Sequence, residues 1–419
     1  MHKPSVFETN KSFLWILILL GSLFLLHLGS YYRNYQEWIS KPFYFTHATV
    51  LHSYEKREGK RVYQVLKLRS EEGLTFYTTS YQKHAFAQTR LRIEVFPKAT
   101  LSFWNYLGGF YVKSRIRTVQ KLPKRLKERL SDYVASQHHN ASLGSFYRAI
   151  FFATPLEHTL REKVALLGIS HLVALSGFHL GIIWALVYGS LLLVYRFFQQ
   201  RYFPYRFALL DVGFMTVVMI GIYVWFVGAP PSLLRSYAML LIGWAVLLMG
   251  MALLSFTFLF TIMALLLALF PTLCVSLGFW LSIAGVFYIF LLLKYTQTYT
   301  QRTVSLVVIP LGIFLLMLPV VHGIFGVTSL YQLLSPLLSL LFIPFYPLTI
   351  LLHLLNVGAW LDPILEWLFA LSKEAQNHLL PLWAVGGYGV LSLSAMGNKR
   401  AFYLLLTVAC LYGLFLFLF

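Results

Sequence analysis

Charged residues and cysteine are both scarce in this sequence. Of its 419 residues, 12% are Asp, Glu, Lys or Arg, whereas 58% are hydrophobic and the mean hydropathy is +0.69. Because soluble domains carry about 25% charged residues, this composition excludes an ordinary globular enzyme. The two cysteines, Cys274 and Cys410, both lie within apolar runs, so there is no disulfide framework and no cysteine metal site to predict.

The sequence also lacks a nucleotide-binding loop. No Gly-x-x-x-x-Gly-Lys-Ser/Thr segment is present, and this is the loop that cradles the phosphates of a bound nucleotide. No metal site and no cofactor are predicted. Any driving force for a process in which the chain takes part is therefore expected to come from another molecule.

Long apolar runs recur from Ser12 to the end of the chain. About 20 apolar residues suffice for a helix to cross a bilayer, so the pattern predicts a multi-pass helical membrane protein. The stretch Phe345–Ser372 contains two prolines and stays unassigned. The predicted spans after the first are Leu172–Tyr195, Phe207–Val227, Leu233–Met249, Leu253–Phe270, Leu273–Leu293, Val304–Val321, Ser329–Phe345, Leu379–Ala395 and Ala401–Phe419.

The first apolar run, Ser12–Ser30, follows Lys3 and Lys11. It lacks a small-x-small cleavage site, which favours an uncleaved signal anchor, so residues 1–30 are predicted to form a transmembrane helix. The flanking lysines place the N-terminus in the cytoplasm and send residues 31–119 outward.

Positive charge is concentrated in one polar segment. The formal net charge is +19, and residues 31–163 carry 23 Lys and Arg against 10 Asp and Glu. The positive-inside rule counts short loops, so it does not explain a segment of this length. We expect the segment to attract a polyanion such as nucleic acid, anionic lipid or an acidic polysaccharide.

Residues 31–119 have the pattern of a small β domain. Strand-like runs lie between turn-like segments such as Glu58-Gly59-Lys60. Five short strands suit an OB-like barrel, so the predicted fold class is a polytopic α-helical membrane protein with an N-terminal OB-like small β domain. The runs are Phe43–Ser53, Arg61–Ser70, Gly73–Ser80, Arg90–Phe96 and Gly109–Val119.

Three of these runs alternate basic or aromatic residues with apolar ones. In the fourth run, for example, Arg90 and Arg92 alternate with Leu91 and Ile93. Single-stranded nucleic acid needs cations for its phosphates and rings for its bases, although a solvated sheet face would look the same. The candidate DNA-binding residues are Arg61, Tyr63, Lys67, Arg69, Arg90, Arg92, Tyr111, Lys113, Arg115 and Arg117.

Residues 120–163 are predicted to form amphipathic helices at the membrane surface. Over Lys121–Gln137, apolar residues recur at helical spacing among basic ones. Basic amphipathic helices lie along a bilayer more often than they perform chemistry. Residues 164–419 are predicted to form the multi-span part.

The first informative segment of the multi-span part is Gly168–Gly181, with the sequence GISHLVALSGFHLG. Its polar residues, His171, Ser176 and His179, lie where hydrocarbon is expected, and such groups normally face a cavity or a partner. Gly177 permits a break in the helix. Helix packing with interhelical hydrogen bonds is the alternative explanation.

The second segment begins Gly228-Ala-Pro-Pro-Ser232 and places Arg235 about one turn into a helix. An arginine at that position can contact an anion, or it can extend to the membrane interface. Asp211 is a poor partner for it, because about 15 residues of helix would separate the two by about 22 Å.

These segments resemble the competence region of the ComEC family, the inner-membrane DNA channel of natural transformation. The family's His-Leu-x-Ala-x-Ser-Gly-x-His pattern lies at His171–His179, and its Gly-x-x-x-Ser-x-x-Arg pattern lies at Gly228–Arg235. Gly278–Ser282 is similar to the Gly-Phe-x-Leu-Ser segment, and His322–Leu330 is similar to the later His/Phe-Gly-x-x-Ser-Leu stretch. The resemblance runs over about residues 131–347.

The resemblance implies a channel that imports single-stranded DNA across the bacterial inner (cytoplasmic) membrane, without catalysis. The implied partners are single-stranded DNA, the lipid bilayer, a periplasmic DNA receptor, a separate nuclease and a cytoplasmic DNA-binding or motor protein, and a homo-oligomer is compatible with it. The candidate channel residues are His171, Ser176, Gly177, His179, Gly228, Ser232, Arg235, Gly278, Ser282 and His322.

The sequence departs from the family pattern in three respects. Trp280 stands where Gln is common, and Leu334, Ser335 or Pro336 stands where Asn is common. Many members also end in a metallo-β-lactamase-like domain, and no His-x-His-x-Asp-His signature is present here. The chain is therefore expected to be a short form that is not an enzyme.

Two other functions stay open at this point. A transporter of another polyanion, such as a lipid-linked saccharide, would use the same basic strand faces. A membrane-embedded metal-dependent hydrolase would need His171 and His179 to share a metal, but eight helical residues place them about 80° apart. The nearest acidic residues, Glu162 and Asp211, lie in other segments.

Overall fold

The computed structural model describes residues 10–58, 61–82, 86, 88–248, 255–371 and 376–418. The chain divides into two compact units. The barrel unit comprises Thr9–Arg129 and Thr261–Leu277, and the helical unit comprises Leu130–Phe260 and Gly278–Phe419.

The barrel unit begins with a long helix, α1 (Asn10–Ile39). The helix continues beyond Ser30, where the first apolar run ends, so the residues just after 30 are helical and are not part of the sheet. Tyr35 and Trp38, in its last turns, are buried in the barrel core. The Tyr35 hydroxyl donates to the carbonyl of Leu101 at 2.5 Å, which suits a side chain with an apolar ring and a polar tip.

The predicted strand runs all correspond to strands, and the last run is divided in two at Val112. The short helix α2 (Phe103–Leu107) precedes the divided run. The strands are β1 (Tyr44–Glu58), β2 (Arg61–Ser70), β3 (Thr75–Ser80), β4 (Thr89–Phe96), β5 (Phe110–Tyr111) and β6 (Lys113–Lys121).

The sheet closes on itself. Its order is β5-β3-β2-β1-β4-β6, and because only Val112 separates β5 from β6, the two ends of this order are one stretch of chain. The Val112 amide donates to the Tyr77 carbonyl at 2.9 Å, and the Thr78 and Ser114 hydroxyls lie 2.8 Å apart. β5 runs parallel to β3, whereas the other pairs are antiparallel. This is the closed five-stranded arrangement expected of an OB-like barrel.

The predicted alternation of faces holds within the barrel. Leu66, Leu68, Leu91 and Ile93 are fully buried in its core. Val62, predicted on the same face, is exposed because it lies next to the tip of the β1–β2 hairpin, where the strands extend past the core.

The chain after the barrel is helical. A π-helical turn, Val304–Val308, joins α12 to α13, and two short strands, β7 (Val327–Thr328) and β8 (Gln376–Asn377), pair antiparallel. The helices are α3 (Leu126–Ser136), α4 (Ala141–Phe152), α5 (His158–Leu166), α6 (Ser170–Val173), α7 (Gly177–Tyr202), α8 (Ala208–Phe226), α9 (Pro231–Leu248), α10 (Phe256–Leu269), α11 (Leu277–Tyr295), α12 (Gln301–Thr303), α13 (Ile309–His322), α14 (Ser335–Leu354), α15 (Asp362–Leu371), α16 (Leu382–Ser394) and α17 (Lys399–Leu418).

Seven helices within the described residues are long and apolar enough to cross a membrane, and three shorter apolar helices accompany them. The fold class predicted from the sequence is therefore confirmed. One prediction is wrong at its end: the span predicted over Ser329–Phe345 continues through Pro347 to Leu354, because apolar helices tolerate proline when neighbouring groups satisfy the freed carbonyl. The stretch left unassigned also contains α15, which has ten residues and is too short to span.

The predicted surface helix starts later than expected. Residues up to Lys121 belong to β6, and α3 begins at Leu126. Leu126 and Tyr133, on the predicted apolar face, are exposed, whereas Val134 is buried. α3 itself carries two basic and two acidic residues, because most of the predicted basic residues lie before it. Its exposed apolar face is the feature that it shares with an interfacial helix.

Two apolar clusters position the informative segments of the helical unit. One surrounds Tyr147 and Tyr346 and joins α4, α6, α14 and α15. The other includes Leu180, Ile220 and Leu233, and it joins α7, α8 and α9. Between apolar helices in lipid, such van der Waals packing is a main source of association.

Candidate functional site

The first segment starts at a turn that only glycine fits well. Gly168 has φ +68°, and a Cβ there would lie 3.3 Å from the side chain of Gln332. The Ser335 hydroxyl donates to the Gly168 carbonyl at 3.0 Å. The turn is thereby fixed against the beginning of α14.

The helix break predicted at Gly177 is present. α6 ends at Val173, the backbone is extended at Ala174 and Ser176, and α7 starts at Gly177. The span predicted to begin at Leu172 therefore begins five residues later. The break separates His171 from His179, so the two rings lie in different elements. The angle of about 80° expected for two residues on one continuous helix therefore does not apply to them.

His171 and His179 both contact α14. His171 Nε2 lies 3.2 Å from the Ser339 hydroxyl. His179 is fully buried, and its ring meets those of Phe342 and Tyr346 edge-on at 5.0 Å. These contacts agree with the explanation that the two histidines serve helix packing. They also make α14 the element that contacts both histidines.

The second segment forms a sharp turn and a new helix. Gly228 and Ala229 both have positive φ, at +92° and +46°, and their amides close the end of α8. Pro231 then opens α9, a position where its missing N–H costs nothing. Arg235 follows about one turn later and is 8% exposed.

The two informative segments meet the third segment of the family resemblance, Gly278–Ser282. The Arg235 guanidinium lies over the Phe279 ring at 5.7 Å, and a Cβ at Gly278 would be 3.6 Å from it. A Cβ at Gly177 would be 3.2 Å from the hydroxyl of Ser236. We call Gly177, Arg235, Ser236, Gly278 and Phe279 the motif cluster. Its two glycines allow α7 and α11 to approach α9 closely.

Two further channel candidates, Ser232 and Ser282, lie on the helices of this cluster, whereas His322 does not. The Ser232 carbonyl accepts a hydrogen bond from Ser236 at 3.0 Å, and Ser282 lies one turn after Gly278 on α11. His322 makes different contacts: its Nε2 lies 2.9 Å from the Thr328 hydroxyl and its Nδ1 lies 3.0 Å from the Leu318 carbonyl. It therefore holds the β7 strand against the end of α13.

As predicted, Asp211 is not a partner of Arg235. Its carboxylate accepts hydrogen bonds from Arg206 at 2.7 and 2.9 Å, and it also bonds the Tyr195 hydroxyl. These three residues connect the last turns of α7 to the first turn of α8.

The DNA-binding candidates of the barrel fall on two outer faces. On the first, Lys67 pairs across strands with Tyr77, and Tyr77 pairs with Tyr111. Lys67 Nζ lies 5.5 Å from the centre of the Tyr77 ring, and Tyr63 contacts Tyr81 at 5.9 Å. We call Tyr63, Lys67, Tyr77, Tyr81 and Tyr111 the tyrosine face.

The second face carries arginines, and acidic residues pair with two of them. Arg69 and Arg90 flank Thr49 on neighbouring strands. Arg90 bonds Glu71, and Arg117 donates to Glu94 at 2.6 Å. We call this the arginine face, and its candidates are Arg69, Arg90, Arg92, Arg115 and Arg117.

The arginine face also contains a shallow cleft of about 220 Å³, with Arg69, Arg90, Arg125 and Glu71 among its lining residues. Arg92 lies over the Phe45 ring at 5.9 Å. Lys113 is exposed on β6. The side chain of Arg61, the remaining candidate, lies outside the described residues.

Sequence reasoning missed two groups. Tyr77, in β3, and Tyr81, just after it, complete the tyrosine face, and their separation by an even number of residues was a signal for them. Ser335 and Ser339 contact the first segment from α14, and their i, i+4 spacing in an apolar helix was a weak signal. In the part of the chain that the structure describes, no group of three His, Cys, Asp or Glu could hold a metal.

The fold and the motif cluster define a polytopic helical membrane protein with a small N-terminal barrel. A family model described as Competence protein matches residues 153–418. The chain therefore belongs to the competence protein (ComEC) family, and the resemblance seen in its sequence is confirmed. Membership supports a role in DNA uptake, and the matched region is a transport domain.

Among curated proteins, the chain is similar to an uncharacterized protein of Aquifex aeolicus (strain VF5). The two are 26% identical over 236 residues, which is 55% of this chain and 52% of that protein. The chain thus spans about half the length of this relative. No solved structure matches the present chain.

The Gly168 turn gives a prediction about stability. Gly168→Ala should destabilise the protein by about 1–2 kcal/mol, because a left-handed φ is unfavourable for alanine and the new Cβ would press on Gln332. Thermal unfolding of the purified protein in detergent measures this effect.

Gly181→Ala is the matched control, since a Cβ at Gly181 would meet nothing within 4 Å and the residue lies within α7. There alanine should be neutral or stabilising by up to about 1 kcal/mol. Equal melting temperatures for the two variants would contradict the prediction.

Proposed function

We propose that this protein carries single-stranded DNA across the bacterial inner membrane during natural transformation. The observation that supports it most is the motif cluster, in which three segments matched by the competence family meet around one buried arginine. Ionisable residues within membrane-spanning helices are costly and usually functional. Arg235 is a buried ionisable residue near the start of α9, one of the shorter apolar helices, and a guanidinium matches the geometry of a phosphate.

The tyrosine face is suited to collecting the strand. Three successive strands place Lys67, Tyr77 and Tyr111 side by side, about 5 Å apart from one strand to the next. Bases stack on aromatic rings with about 1–3 kcal/mol each, without regard to sequence. Tyrosines next to a lysine thus favour single-stranded nucleic acid over a saccharide that lacks flat bases.

The helical unit is suited to passing the strand on. The polar groups His171, Ser176, Ser232 and Arg235 are few, and they lie beside glycines that allow close helix approach. A translocation path must attract phosphate without trapping it. A sparse set of neutral donors with one cation meets that requirement better than a dense group of lysines.

We infer that other molecules complete the process. A periplasmic receptor would deliver DNA, a separate nuclease would degrade one strand, and a cytoplasmic DNA-binding or motor protein would pull the other. The chain's own role would be recognition and passage, and a homo-oligomer would offer a path between copies as well as within one.

Arg235→Ala should lower the number of transformants by about 100-fold, since hydrogen bonds to a charged group contribute up to about 3 kcal/mol. His171→Ala should act in the same direction. The assay follows fluorescent DNA in a naturally transformable host and separates DNA held outside the inner membrane from DNA in the cytoplasm.

Arg201→Ala is the matched control, because Arg201 is an exposed arginine at the end of α7 that lies over Tyr202. Transformation and protein level should both stay near those of the wild type. If Arg235→Ala lowers the membrane level of the protein as much as it lowers uptake, the residue serves packing.

The tyrosine face gives a prediction about DNA affinity. Lys67→Glu should weaken binding of single-stranded DNA by the full-length protein in nanodiscs and should make its salt dependence shallower by about one phosphate contact. Tyr77→Ala should lower affinity by about 1–3 kcal/mol through lost stacking.

Arg92→Glu, on the arginine face, is the comparison for Lys67→Glu. A larger loss with Arg92→Glu would move the DNA site to the arginine face. If an anionic polysaccharide competes with single-stranded DNA on equal terms, the function is transport of another polyanion.

A further inference from the structure

A chain of hydrogen bonds links two buried histidines and a carboxylate outside the motif cluster. His138, between α3 and α4, has a fully buried side chain. Its Nδ1 lies 2.9 and 3.0 Å from the two oxygens of Asp362, and its Nε2 lies 2.9 Å from Nε2 of His353. His353 Nδ1 lies 2.6 Å from the Thr349 carbonyl. We call His138, His353 and Asp362 the histidine chain.

The orientation of both rings is fixed by their partners. All four ring nitrogens face a polar atom at 3.0 Å or less. Turning either ring over would place C–H groups against a carboxylate, a carbonyl or the other imidazole. The His138 ring is also stacked on Tyr147 at 4.5 Å with an angle of 8° between the planes.

Counting protons shows that the histidine chain holds one more than two neutral imidazoles supply. The Thr349 carbonyl accepts only, and so does the Asp362 carboxylate when it is ionised, so a hydrogen bond to either one takes an N–H from the ring beside it. A neutral imidazole carries one N–H. If both are used in this way, the two Nε2 atoms face each other with lone pairs at 2.9 Å. Three hydrogen bonds require a third proton.

We propose that the histidine chain is a buried proton-binding site, in which one proton is shared between His138 and His353 and Asp362 is the counter-charge. The charges then cancel: one imidazolium against one carboxylate. A buried charge that is paired and hydrogen-bonded is tolerated, whereas an unpaired one is not. The proposal does not depend on the DNA function.

The shared proton joins the loop between α3 and α4 to the end of α14 and the start of α15. The Gln137 amide donates to the His353 carbonyl at 3.0 Å and accepts from the Gly358 amide at 3.0 Å. Asn140 donates to Glu366 at 2.9 Å. Loss of the proton would set two lone pairs against each other at the centre of this connection. The site thus acts as a proton-dependent latch.

Other titratable groups around the site do not supply the proton's counter-charge. Burial raises the pKa of Tyr147, so its hydroxyl stays neutral. Glu366 is engaged with Asn140, and His139 is exposed next to His138. Among the described groups that bond the two rings, Asp362 is the acid.

Linkage gives the direction of the pH effect. An ordinary histidine loses its proton near pH 6.5. If the site keeps its shared proton above this value, as proposed, the folded protein there binds one proton more than the unfolded chain. The stability contributed by the latch is fully present below about pH 6.5, and it is lost as the pH rises through the value at which the folded site releases its proton.

The test compares the wild type with His353→Gln, both purified at full length in detergent. A glutamine amide donates to His138 Nε2 without an extra proton, so the variant keeps the connection and loses its pH dependence. Between about pH 6 and about pH 9, the melting temperature of the wild type should fall by at least about 2 °C more than that of His353→Gln. His139→Gln is the matched control and should fall like the wild type.

Equal falls in the wild type and His353→Gln would overturn the proposal. If His353→Gln does not fold, nitrogen NMR of the wild type labelled at histidine decides the matter. If the spectra show two coupled imidazoles that together hold three protons above about pH 7, the proposal is supported. If they show two neutral rings, the proposal is overturned.

Discussion

The need to satisfy backbone polar groups inside an apolar helical unit shapes this protein. Where a membrane-type helix breaks, the freed backbone groups and any polar side chains must find partners within the protein. The break before α7 meets this need through α14: Ser335 bonds the Gly168 carbonyl and Ser339 contacts His171. The turn before α9 meets it locally, through two residues with positive φ whose amides close α8. Polar residues and glycines therefore occur together along the chain.

The barrel shows a different constraint, the closure of a sheet. Because β5 and β6 are one stretch of chain interrupted at Val112, β3 and β4 are joined through the same segment and no open edge is left between them. Closure also sets the outer surface. The cross-strand register that pairs Tyr77 with Lys67 on one side and with Tyr111 on the other is what turns isolated tyrosines into a continuous face.

Sequence periodicity predicted which side of each element faces the core, but not which elements meet. It placed Leu66 and Leu91 inside the barrel, and hydropathy located the long helices, because both signals are local. Lys67 and Arg92 lie on different faces because of the order of the strands in the sheet. The alternation of residues along one strand carries no information about that order. Likewise, His138 and His353 are 215 residues apart, and only tertiary packing brings them together. The prolines of α14 misled the prediction because a helix end was inferred from local preference alone.

In the proposed function, binding and release make opposite demands on a protein that moves a polyanion, and the two units differ accordingly. A strand is collected best where cations and rings are dense, as on the outer surface of the barrel. Inside an apolar unit the same density would hold phosphate too tightly, since charges attract each other more strongly at low dielectric. In the proposed function, one buried guanidinium over the Phe279 ring would lower the cost of bringing a phosphate into the helical unit without creating a deep minimum. The contrast between the two units is thus what the proposed passage of a strand requires, and it follows from where each kind of side chain can be buried.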